Sequence, residues 1–169
     1  MLTSHEILGF MSPKLAMEIF SYAHESDKPL YQTTLAAVAE ARHLRPAYLK
    51  RQPREQQHSA MLATLTRPSL ETVAATLLRT WLLKKHNAML VDFLNALEIP
   101  HKEGVVEDNL PETMDEAKFR VAVDALVAKY PAEIVAVYLN AFAEMNEVDW
   151  PVLKTKLAKV LGCLVTVDA

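Results

Sequence analysis

The chain reads as all-α: antiparallel helical hairpins stacked on one another, with no sheet of consequence. Three observations lead there. Apolar residues make up 51% of the 169 residues, and they recur at three- and four-residue spacing, the period of one helix face. Only 3 glycines occur, at positions 9, 104 and 162, too few for a fold rich in tight β-hairpins or for a phosphate-cradling loop. Prolines stand where helices begin, as in Ser12-Pro13 and Asp149-Trp150-Pro151; there a missing N–H costs nothing.

Taken in order, the elements number roughly eight or nine helices within one domain, 1–169. Ser4 caps a short turn from His5 to Met11. A helix from Pro13, capped by Ser12, carries Leu15, Ile19, Phe20 and Ala23 inward. Asp27 and Pro29 open the next, which runs to about His43 with Leu35 and Val38 on its apolar face. From Arg42 to Arg54 the pattern breaks: RHLRPAYLKRQPR holds two prolines and five arginines or lysines, leaving space for one turn, Ala47 to Arg51. A helix from Pro53 to Leu65 turns Ala60, Met61 and Leu65 inward. Ser69 caps a long helix ending in Lys84-Lys85, where positive charge suits the dipole.

Asn87 caps the partner helix, which stops before Pro100. The connection HKEGVVEDNLP follows. Thr113 and Glu116 form a capping-box pattern ahead of helices Asp115–Tyr130 and Ala132–Met145. A last helix, 150–161, closes at Gly162, followed by the apolar tail CLVTVDA. Leu94, Leu139, Tyr138, Phe93 and Trp81 should dominate the core.

One apolar face is drawn twice. At an offset of 45 positions, Trp81–Leu97 lies over Leu126–Phe142, with Leu94-Asn95-Ala96 on Leu139-Asn140-Ala141. The hairpin units then fall at 13–43, 70–98 and 114–145. A two-helix period of this length resembles the HEAT and armadillo architectures; an irregular helical bundle is the alternative.

The composition excludes several classes. Cys163 is the single cysteine, so no internal disulfide forms, in keeping with a reducing, cytoplasmic setting. The first residues lack a signal-peptide layout, and no apolar run suffices to span a membrane. The net charge of −3 conceals polarity: +4 over residues 1–86 and −7 over 87–169.

No catalytic, metal or cofactor motif stands out, and no cofactor is implied. Cys163 lies at a helix C-terminus, which does not activate a thiol. The histidines are scattered; the best hard-cation cluster is His101, Glu103, Glu107 and Asp108, all within one polar loop. An enzyme of unfamiliar type would use a cleft gathering Lys84, Lys85, His86 and Asp92.

Binding functions fit better. Asn95 and Asn140, repeated along a groove, would hold an extended peptide, since an amide both donates and accepts. Flanking it, Arg42, Arg45, Lys50, Arg51 and Arg54 form a cationic segment. The leading expectation is a non-catalytic protein-interaction or adaptor module with a protein partner, or a homodimer that buries surplus apolar faces. The runner-up is a nucleic-acid-binding accessory protein using segment 42–54, with Tyr48 stacking on a base.

Overall fold

The computed structural model describes the backbone of residues 1–165 and the side chains of residues 1–159. The expectation of an all-α fold holds: ten α-helices and a two-stranded ribbon make up the regular structure of the described residues, apart from one 3-10 turn. Read as one domain, the chain divides into two compact units, one of Thr3–Trp81 and one of Met1–Leu2 with Leu82–Ala169.

The first unit begins with α1 (Ser4–Phe10). Thr3, not Ser4, is its N-cap, and Gly9 sits within the helix without breaking it. Glu71 closes the free end of α1, its carboxylate accepting from the backbone N–H of Ser4 at 3.0 Å and of His5 at 2.9 Å. In α2 (Pro13–Ser26) the Ser12 hydroxyl accepts from Leu15 N–H at 3.2 Å, and in α3 (Lys28–Ala41) Asp27 accepts from Leu30 N–H at 3.2 Å. Both caps match the sequence reading.

One-turn α4 (Pro46–Lys50) and α5 (Arg54–Leu65) follow, and α5 packs on α3. Phe20, Leu35, Val38, Met61 and Leu65 are buried at its centre. Ser69 does not cap the long helix. It lies inside the 3-10 turn Pro68–Leu70, which feeds α6 (Glu71–Lys85) directly.

The second unit takes in the end of α6, then α7 (Asn87–Ala96), β1 (His101–Lys102), β2 (Val105–Val106), α8 (Glu116–Lys129), α9 (Ala132–Met145) and α10 (Pro151–Val165). Both predicted corners are present, at His86 and at Tyr130-Pro131. α7 packs on α8, and α9 on α10. Phe93 touches Phe119, Tyr138 and Phe142 edge-on at centroid distances of 6.1, 5.4 and 5.4 Å, and Phe142 meets Trp150 at 5.9 Å. Trp150 donates its indole N–H to Pro111 O at 2.8 Å, fastening the long connection. The five expected core residues Trp81, Phe93, Leu94, Tyr138 and Leu139 are all buried.

Four features of the second unit differ from expectation. Asn87 is the first residue of α7 rather than its cap; its amide donates instead to Glu103 O at 2.6 Å. Asp115, not Thr113, caps α8, accepting from Lys118 N–H at 2.7 Å. The connection contains an antiparallel ribbon turned by Glu103 (φ 49°) and Gly104 (φ 87°). Two consecutive positive φ values are what a two-residue turn with the ribbon's own twist requires. A side chain at Gly104 would also press on Leu90 Cβ at 3.1 Å. Finally, α10 runs through Gly162 to Val165, so Cys163 lies inside a helix. The tail's last four residues, 166–169, lie outside the described residues.

In a chain so poor in glycine, three helices end on other residues. His43 (φ 56°), Glu98 (φ 55°) and Glu147 (φ 50°) adopt the left-handed conformation after α3, α7 and α9. In each case the next N–H reaches back to a helix carbonyl: Leu44 to Ala39 at 2.8 Å, Ile99 to Leu94 at 2.9 Å, Val148 to Ala143 at 3.0 Å. The pattern is a left-handed cap followed by an apolar plug.

Candidate functional site

The basic segment is built by two constraints. Left-handed His43 turns the chain sharply out of α3, and Pro46 holds Arg45 extended (ψ 134°) before starting α4. Leu49 is the one buried residue of that turn. Around it Arg42, His43, Arg45, Lys50, Arg51 and Arg54 are exposed, and Tyr48 is 56% exposed.

Two of these cations are partly engaged. Arg42 reaches the Thr64 hydroxyl at 3.4 Å, and Arg54 pairs with Glu25 at 3.8 Å. Arg45, Lys50 and Arg51 have no acidic partner among the described residues. An open groove of about 480 Å³, lined by Arg42, Glu55, Gln56, Ser59, Ala60 and Ala63, adjoins the segment.

Beneath this face lies a polar cluster that composition did not reveal. Gln57 is buried on α5; its Oε1 accepts from Tyr31 OH at 2.6 Å. His58 is buried too, 5.7 Å from the Phe20 ring and 5.9 Å from that of Tyr31 by centroids. Tyr31 also meets His24 edge-on at 4.8 Å. His58 Nε2 and His24 Nδ1 lack a hydrogen-bond partner among the described residues. Burial lowers the His58 pKa below the usual imidazole range, and the charges of Arg54 and His24 add to that effect. A signal for Gln57 was present: it shares a helix face with the inward-turned Met61 and Leu65.

The two asparagines do not form the expected row. Asn140 is 1% exposed. Its Oδ1 accepts from Leu2 N–H at 3.0 Å and its Nδ2 donates to Leu2 O. The amide does hold backbone by both its functions, but the backbone is the chain's own. Asn95 is exposed, with Oδ1 2.9 Å from His101 Nε2 at the foot of the ribbon. One asparagine is sealed in and the other props a turn, so they do not line one groove.

The remaining candidates disperse. Asp92 accepts from Lys129 Nζ at 2.6 Å and Tyr130 OH at 2.9 Å, tying α7 to the α8–α9 corner. Those two hydrogen bonds hold its carboxyl below the usual carboxylate range. Lys84 lines an open groove of about 520 Å³ with Asn87, Lys102 and Glu103. In the polar loop, His101 Nδ1 accepts from Gly104 N–H at 3.3 Å. Among the described residues no three His, Cys, Asp or Glu side chains converge as metal ligands, and no helix is long and apolar enough to cross a membrane.

No protein-family model, curated protein or solved structure matches this chain.

Proposed function

We propose that this chain is a non-catalytic protein-interaction module of the cytoplasm, and that it takes an acidic segment of its partner on the basic face 42–54. The observation that carries this reading is the set of three exposed cations, Arg45, Lys50 and Arg51, with no acidic partner among the described residues. Uncompensated charge of one sign on a short, proline-bounded turn attracts an opposite charge and raises its encounter rate. The adjoining groove along α5 offers space for the partner's side chains.

A second reading has its own support. Tyr48 stands exposed among those cations, and an aromatic ring within a cationic strip suits single-stranded nucleic acid. Affinity capture from lysate, with and without nuclease, separates the two. On the protein reading, a defined partner survives nuclease and is lost with Lys50→Glu/Arg51→Glu. Loss of all partners on nuclease treatment moves the assignment to nucleic acid. Capture unaffected by the double reversal removes the face from consideration.

A further inference from the structure

Gln57 stands apart from the other buried polar side chains of the first unit. It is 8% exposed, and its Nε2 lies within hydrogen-bond reach of three carbonyls: Leu49 O at 3.2 Å, Lys50 O at 3.0 Å and Gln52 O at 3.1 Å. An amide has two N–H bonds to give, so the three acceptors share them. These carbonyls belong to the end of α4 and the turn after it, where intrahelical donors run out; Leu49 O keeps a backbone bond as well, from Gln52 N–H at 3.2 Å. On the amide's other side, Tyr31 OH donates to Oε1 at 2.6 Å. α3 therefore holds Gln57, and Gln57 holds the turn.

One turn of helix does not sustain itself in water. The shape of α4 is imposed from outside, by Pro46, by buried Leu49 and by this amide. Lys50, whose carbonyl it clamps, and Arg51, which lies between the clamped carbonyls of Lys50 and Gln52, are two of the three cations with no acidic partner among the described residues. We infer that Gln57, held by Tyr31, is a positioning residue that fixes Lys50 and Arg51 as a preorganised cationic face for an acidic peptide. Preorganisation matters because a turn of backbone ordered only on binding costs affinity. The inference rests on the reading of the basic face as the site, and its test separates the two.

The probe is a fluorescein-labelled oligoglutamate peptide, titrated across a salt series by anisotropy. Gln57→Met keeps the volume and removes both hydrogen-bonding functions; Tyr31→Phe removes one hydroxyl. Both leave the count of cations unchanged. Gln57→Met is expected to weaken binding about three- to tenfold with the salt dependence of wild type, and Tyr31→Phe about two- to threefold. A purely structural role would lower the melting temperature and leave Kd, measured well below it, untouched; that result overturns the inference. Should Gln57→Met fail to fold, Tyr31→Phe decides alone, and wild-type affinity in that variant sinks the proposal.

Lys50→Glu/Arg51→Glu is the control for the underlying reading. If it abolishes binding while Gln57→Met binds as wild type, the face stands and the positioning role falls. If it leaves binding intact, both fall. Oligo(dT) of equal charge runs in parallel: tighter binding of it, lost with Tyr48→Ala, overturns the acidic peptide as the ligand.

Discussion

α7 and α9 carry the same apolar face at an offset of 45 positions, and the fold buries that face in both. Met89 and Ile134, Leu90 and Val135, Phe93 and Tyr138, Leu94 and Leu139, Leu97 and Phe142 are all inside. The opposite faces differ. In α9 every residue from Ile134 to Ala143 is buried, whereas α7 leaves Asp92 half-exposed and Asn95 and Ala96 exposed. A helix apolar on one stripe suits a surface; one apolar all round requires neighbours on all sides. The two sequences differ there in kind: Val137 occupies the place of Asp92. A repeated pattern therefore records a shared contact face and says little about the rest of the helix.

The largest effect should come from exchanging those two positions. Val137→Asp puts an unpaired carboxylate into a closed core and should cost about 3–5 kcal/mol in denaturant unfolding. Asp92→Val, which gives up the contacts to Lys129 and Tyr130 on a half-exposed surface, should cost about 1 kcal/mol or less. Similar losses at both positions would mean that α9 is no more enclosed than α7.

Next come the aligned asparagines. Asn140→Ala strands the N–H and C=O of Leu2 and should destabilise by about 1–3 kcal/mol. Asn95→Ala, at an exposed site, should stay within about 0.5 kcal/mol. Equal melting temperatures would break the contrast.

Tyr138 and Phe93 form a third pair. The Tyr138 hydroxyl is buried without a hydrogen-bond partner among the described residues, and burial drives its pKa upward. Tyr138→Phe makes α9 match α7 there and should stabilise by about 1 kcal/mol, because an unsatisfied polar group leaves the core. A clear loss of stability would show that the hydroxyl is satisfied in solution.

The smallest effect concerns the two helix ends. Glu98 and Glu147 hold positive φ, a conformation that glycine adopts without steric penalty. Glu147→Gly should gain about 0.5–1 kcal/mol in thermal unfolding. Glu98→Gly should gain less, since Glu98 also pairs with Lys118. The order of the two gains is the measurement that matters.

Much of the fold was legible because it is local. The caps at Ser12 and Asp27, the corner at Pro131 and the bounds of α9 follow from residues within a few positions of one another. Gly104 could have pointed to the ribbon, but strands of two residues carry too little periodicity to read. Thr113 and Asp115 are both capable caps, and docking of the connection by Trp150 is not visible in a window around either. For the candidate site, the five cations and Tyr48 were legible as a charged break in periodicity. Gln57 was signalled only by its place on the face of Met61 and Leu65; its hydrogen-bond partners were not legible, since they are set by tertiary neighbours.

By itself, then, the sequence determined the helical class, most helix starts and the shared face of α7 and α9, because spacing, proline and capping chemistry act over a few residues. Tertiary structure decided which neighbours would enclose α9. It also decided that Asn140 would hold Leu2 and that Gln57 would be drawn in beneath the basic turn. The physical reason is the same in each case: burial and hydrogen-bond partnership are set by neighbours distant in the chain, and a single helix's pattern cannot name them.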